Sequence, residues 1–163
     1  MPQLLLMRHG KAAERDGAPD RERRLTPRGK RDSEAMGRVI GERYPPDRIL
    51  CSPAARARET LESLFAGMGS KSEVWFVEDL YDPPGDYTGV IAANAGRAAR
   101  ILVVGHNPAI QETTIALMGG GDAKLRGAIH EKFPTSAVAA IDFDRDWRDL
   151  QPLSGKLVAF LMP

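Results

Sequence analysis

Arg8-His9-Gly10 follows the apolar run Leu4-Leu5-Leu6-Met7. His106 follows a second run, Ile101-Leu102-Val103-Val104, within Gly105-His106-Asn107-Pro108. Arg56 and Arg58 come shortly after a third, in Cys51-Ser52-Pro53-Ala54-Ala55-Arg56-Ala57-Arg58. Arginine presents a planar fork of donors that fits two phosphate oxygens at once. A histidine held beside Arg8 tends to stay neutral, because nearby positive charge disfavours imidazolium. Neutral imidazole keeps a nitrogen lone pair, and that nitrogen can attack phosphorus to give a phosphohistidine. Gly10, lacking Cβ, allows a sharp turn and a close approach of phosphate. Taken singly, each residue has an ordinary reading: a histidine in a turn, or an arginine on a helix. Arginine in a first helical turn is opposed by the helix dipole, and a bound anion supplies a reason for it.

Three strand ends have to meet for this chemistry to work. "QLLLM" reads as a buried strand, "DRILC" as a second, "SEVWFV" as a third and "RILVVG" as a fourth. Between them lie helical patterns: "RGKRDSEAMGRVIGERY", "PAARARETLESLFAG" and "DYTGVIAANAG", with "PAIQETTIALMG" after the fourth strand. Thr26-Pro27 has the form of an N-cap followed by proline at the first helical position, and Pro45-Pro46 ends that first helix. Helix starts at Pro53 and Pro108 would add backbone N–H groups to the pocket. "SAVAAIDF" and "KLVAFLM" are late strands with no helix between them, which predicts an antiparallel pair. The alternation predicts a three-layer α/β/α fold with a mostly parallel sheet and an antiparallel strand near the C-terminus. Ligands bind such sheets beyond the carboxyl ends of the strands, where His9, Arg56, Arg58 and His106 all fall. "MGGGDAKLRGAIHEKFP" is the loosest stretch and reads as a surface loop; its glycines lack the strand and the Lys-Ser/Thr of a phosphate cradle. "RERR", residues 21–24, reads as a solvated charge cluster.

The 163 residues suit a single domain spanning 1–163. A formal net charge of +1 argues against a nucleic-acid or anionic-membrane surface. The one cysteine, Cys51, can form neither an intrachain disulfide nor a Cys-rich zinc site. No stretch reaches the roughly 20 apolar residues of a membrane span, and no signal-peptide pattern opens the chain. A cytoplasmic protein is the expectation.

"MRHGK", "CSPAARARET" and "VVGHNP" together resemble the histidine phosphatase superfamily, whose hallmark is Arg-His-Gly at the end of the first strand. "RRLTPRG", "KFPTSAVAAIDFD" and "LVAFLMP" bring the resemblance to its small branch, the SixA-type phosphohistidine phosphatases. The resemblance implies a phosphoglycerate mutase-like fold over most of the chain. It implies His9 as the transiently phosphorylated nucleophile, Arg8 and Arg56 as clamps on the phosphoryl oxygens, and His106 as stabiliser of developing charge. Arg56 is preferred to Arg58 by its distance from Ser52-Pro53. Neither metal nor other cofactor is implied. The expected substrate bears phosphate, with phosphohistidine on a protein favoured.

The general acid is open. Larger members use a carboxylate to protonate an alkoxide leaving group, and the candidates here are Glu78 and Asp79 in "VEDLYDPPGDY". A phosphohistidine whose other ring nitrogen carries a proton releases neutral imidazole and needs no acid, whereas an alcohol generally does. The rival enzyme reading is therefore a phosphatase for small phosphate esters or anhydrides with a working Glu78 or Asp79. A non-catalytic phosphate-binding or phosphoprotein-binding module is a third reading, which the presence of both histidines opposes. A cysteine-based phosphatase is opposed by the spacing of Cys51 to either arginine and by Pro53, which lacks an N–H. A zinc site from His9 and His106 lacks partners, and His130 has no assigned role.

Overall fold

The computed structural model describes residues 1–14 and 17–163. Strand β1 (Gln3–Arg8) carries four consecutive buried apolar residues. Leu4 and Leu6 enter one core, while Leu5 and Met7 enter another on the opposite face. A strand covered on both faces has no solvent side, which is why it shows no polar alternation. Helix α1 (Pro27–Arg43) starts as the sequence predicts, with Thr26 Oγ1 accepting from the Gly29 N–H at 3.0 Å. Its Met36 and Ile40 join the Leu5/Met7 core.

Strand β2 (Arg48–Cys51) leads into helix α2 (Ala55–Met68). This helix begins two residues after Pro53, since Ser52 Oγ first accepts from the Ala54 N–H at 3.3 Å. It also runs through Gly67, which the sequence places at its end; the left-handed Gly69 (φ 71°) terminates it. Gly67 serves packing instead. A Cβ there would lie 2.0 Å from Glu34 O, so only glycine permits α1 and α2 to approach so closely.

Strand β3 (Glu73–Phe76), helix α3 (Thr88–Asn94), strand β4 (Arg100–Gly105) and helix α4 (Ala109–Leu117) follow. Residues 118–134, expected to be a loop, instead hold strand β5 (Met118–Gly121) and helix α5 (Ala123–Glu131). Asp122 caps α5 by accepting from the Leu125 N–H at 3.0 Å, and Ile129 is buried. The strand escapes a periodicity reading because "MGGG" has almost no side chains to alternate. Gly119 is required there, as a Cβ would meet Leu153 O at 1.8 Å.

Strands β6 (Val138–Asp142) and β7 (Gly155–Leu161) form the expected antiparallel pair. One sheet contains all these strands in the order β3-β2-β4-β1-β6-β7-β5, and only β6 runs against the rest. Helices α1 and α2 cover one face; α3, α4 and α5 cover the other. The α/β/α layering and mostly parallel sheet predicted from the sequence are the ones observed. Among the described residues, no helix is long and apolar enough to cross a membrane.

Candidate active site

Strands β2, β4 and β1 are neighbours, and their register levels their carboxyl ends: Arg8 pairs with Gly105, and Cys51 with Val104. The next residue of each strand is His9, His106 and Ser52. The His9 and His106 rings consequently lie 5.1 Å apart between centroids, tilted by 55°. Both side chains are buried.

His9 Nδ1 lies 2.7 Å from Gly10 O. A carbonyl can only accept, so Nδ1 carries the proton and Nε2 is left with the lone pair. Burial first, then the Arg56, Arg8 and Arg23 charges, lower the His9 pKa to about 4 against the opposing Gly10 bond. His106 is lowered to about 3 by burial first, then by His9 and Arg56. Both rings are therefore neutral at pH 7.

Gly10 has a different structural reason from the turn proposed for it. A Cβ there would lie 2.7 Å from Ser33 Oγ and 2.8 Å from Gly29 O, both on α1. Its N–H donates to Thr60 Oγ1 at 2.9 Å. Ser136 also fixes this loop, its N–H reaching Arg8 O at 3.1 Å and His9 O at 3.2 Å from a left-handed backbone (φ 63°).

Arg56 sits in the first turn of α2 and is 7% exposed. Its Nη1 donates to Asp20 O at 2.9 Å and its Nη2 to Asp20 Oδ2 at 3.1 Å. Arg8 donates to Phe133 O at 3.0 Å. Arg58 is exposed, with its guanidinium 5.4 Å from the Phe76 ring centre.

Asp20 brings a carboxylate beside Arg56 that the sequence patterns do not single out. Tyr81 Oη donates to its Oδ2 at 2.7 Å, and Arg23 to its Oδ1 at 3.2 Å. The Tyr81 bond, with help from Arg23 and Arg56, holds the Asp20 carboxyl well below the usual carboxylate range. The residue 21–24 cluster is likewise not simply solvated. Arg21 pairs with Glu78 and stacks 4.7 Å from the Tyr81 ring centre; Arg24 Nε reaches Glu59 Oε2 at 2.8 Å. These ties hold the segment around the short 3-10 helix Asp20–Glu22 to α2 and to the Tyr81 loop.

Ser52 and Tyr87 were missed by sequence reasoning. His106 Nε2 lies 2.7 Å from Ser52 Oγ. The buried Tyr87 Oη accepts from the His106 N–H at 3.1 Å and donates to Leu80 O at 2.6 Å. Gly105 makes room for Tyr87, since a Cβ would meet its ring at 2.7 Å. The signal for Ser52 was its place at a strand end; Tyr87 gave none.

Glu78 and Asp79 are exposed on the 3-10 helix Glu78–Leu80. The Arg21 bond holds the Glu78 carboxyl below its ordinary pKa, which keeps it ionised rather than proton-bearing. Cys51 is buried with Sγ 3.3 Å from Ser52 O, and burial pushes its thiol up to about 12, so it is no nucleophile. His130 is exposed on α5. Among the described residues, no group of three or more His, Cys, Asp or Glu side chains is placed to hold a metal.

The family model for the histidine phosphatase superfamily (branch 1) matches residues 4–90. The chain belongs to this family. That match spans Arg8, His9 and Arg56, whereas this histidine phosphatase's His106 lies beyond it. Phosphohistidine phosphatase SixA of Escherichia coli (strain K12) is 32% identical over 149 residues, covering 87% of this chain and 86% of that protein. A solved structure of a candidate phosphohistidine phosphatase SixA from Nakamurella multipartitia has a TM-score of 0.85 at 28% identity, over 99% of this chain and 96% of that one. The protein histidine phosphatase SixA complexed with tungstate has a TM-score of 0.77 at 28% identity, over 98% of this chain and 96% of that one. The fold is thus the phosphoglycerate mutase-like one of the superfamily, and these similarities support phosphatase activity for this chain.

Proposed function

We propose that the protein removes the phosphoryl group from phosphohistidine on a protein substrate, through a phosphohistidine intermediate on His9. The observation that carries this reading is the His9 Nδ1 bond to Gly10 O, which leaves Nε2 as the attacking nitrogen. Nε2 donates its lone pair to phosphorus as the substrate's P–N bond breaks. The substrate ring leaves as neutral imidazole, because its other nitrogen already bears a proton. Water then attacks phosphorus, the P–Nε2 bond breaks, and His9 also leaves as neutral imidazole through its Nδ1–H. The water's proton passes to phosphate or solvent. Neither step draws on a side-chain acid.

Arg8 and Arg56 supply positive charge to the phosphoryl oxygens, and His106 stabilises the charge that develops across the pocket. Two guanidinium groups do the neutralising that a divalent metal does elsewhere, so the reaction as drawn is metal-independent. A SixA relative is complexed with tungstate, an oxyanion of phosphate-like shape and charge, which supports an anion-binding function for this chain. A phosphate-ester substrate calls for an acid, and Glu78, paired outward with Arg21, does not supply one.

The test compares a phosphohistidine protein with a phosphoserine peptide and a small alkyl phosphate. Phosphohistidine turnover is expected to exceed both, with an acid-labile, base-stable label trapped on the enzyme and lost in His9→Ala. Phosphate binding without label would establish a non-catalytic module. Faster turnover of the alkyl phosphate would establish an esterase.

A further inference from the structure

A cavity of about 510 Å³ has Arg8 in its lining. Lys11, Arg28 and Lys132 line it with Arg8, and Asp32 is the one carboxylate side chain among the described lining residues. The whole chain carries a net charge of only +1, so this is a local concentration of positive charge. Asp32 is already engaged, with Arg28 Nε 3.4 Å away. Among the described residues, neither the Lys11 nor the Lys132 ammonium has an ion-pair partner.

The fold places these cations against its own electrostatics. The first turn of α1 contains no acidic residue, yet Arg28 stands in it and Lys30 and Arg31 follow. A helix N-terminus disfavours cations, and neighbouring like charges repel. An anion in the cavity relieves both costs. It would meet two lysines, two guanidinium groups and the positive end of α1 together.

Resting on the reading of the substrate as protein-borne phosphohistidine, we propose that this cavity receives a carboxylate side chain flanking the phosphohistidine. Arg8 belongs to both sites, since it precedes His9 at the end of β1 and also lines the cavity. The phosphoryl group and the flanking carboxylate therefore dock side by side. Four lining cations, on a chain with a net charge of +1, fit one acidic side chain rather than an extended polyanion.

The experiment measures binding of two synthetic peptides that carry a non-hydrolysable phosphohistidine analogue, one flanked by glutamates and the other by glutamines. In the wild type, the glutamate peptide is expected to bind about tenfold more tightly at low salt, as partly exposed charge pairs acting together allow. That preference is expected to fall below about twofold in Lys11→Ala/Lys132→Ala and at high salt. The glutamine peptide is the internal control for an intact phosphoryl pocket. Equal binding of both peptides to the wild type, a preference that survives in the double variant, or no measurable binding of the glutamate peptide overturns the proposal. Turnover of the matching phosphohistidine peptides is scored separately. Turnover without charge preference defeats the carboxylate site alone; preference without turnover defeats the catalytic reading alone.

Discussion

Replacing Arg56 with alanine separates the pocket arginine from its exposed neighbour. Arg56 is 7% exposed and its two Nη atoms span Asp20 O and Oδ2, at 2.9 and 3.1 Å, which fixes the guanidinium before substrate arrives. Losing one preorganised donor at a developing anion costs ~3–4 kcal/mol in the transition state, or about 10²–10³-fold in rate. Arg56→Ala is therefore expected to lower kcat/KM on a phosphohistidine substrate by that factor. It also leaves the Asp20 carboxylate with one arginine fewer beside Tyr81 and Arg23, at ~1–3 kcal/mol of stability. Arg56→Lys keeps a charge but cannot bridge both Asp20 oxygens, so its activity should fall between the two. Arg58→Ala removes one exposed cation–π contact, 5.4 Å from the Phe76 ring centre. That is ~0.5–1 kcal/mol of stability, with kcat/KM within about threefold of wild type. Single-turnover kinetics and denaturant titration of the variants read both effects. A loss at Arg58 equal to or larger than that at Arg56 refutes the assignment.

The remaining predictions concern protons and thiols. Tyr81→Phe removes the bond that does most to hold the Asp20 carboxyl down, so the Asp20 pKa should rise; an NMR titration of that carboxyl reads the shift, and an unmoved value defeats the reasoning. His9 is neutral in the fold with a pKa of about 4, against 6.5 unfolded, so the unfolded state binds the extra proton first. Stability should be fully present above pH 6.5 and decline as the pH falls towards 4. His9 alone contributes ~3 kcal/mol once fully protonated, measured as a shallower pH dependence of the denaturation midpoint in His9→Asn. Cys51, buried with a thiol near 12, should resist iodoacetamide at pH 8 while folded and react on unfolding; activity lost on alkylation of the native protein would restore Cys51 as a candidate nucleophile.

Much of this protein is written locally. Four successive apolar residues before Arg8 need a strand covered on both faces, and Thr26-Pro27 needs a helix start; both arise from neighbours in sequence. The alternation of such elements dictates a layered sheet, and a layered parallel sheet gathers strand ends. Hence His9, Arg8, Arg56, Arg58 and His106 could be nominated without coordinates, and the family resemblance put Arg56 before Arg58. Residues 118–134 were misread because a glycine strand has no side-chain pattern, and its evidence is the backbone packing of Gly119 against Leu153.

What only the tertiary structure decided are the partners that set the site's electrostatics. Asp20 meets Arg56 across 36 positions and Tyr81 across 61, and Ser52 meets His106 across 54. No local periodicity encodes such pairs. They form only when the sheet order fixes which loops lie side by side. The lone pair on His9 Nε2 belongs to both levels: histidine is the sequence's choice, but the tautomer depends on where the fold puts the Gly10 carbonyl.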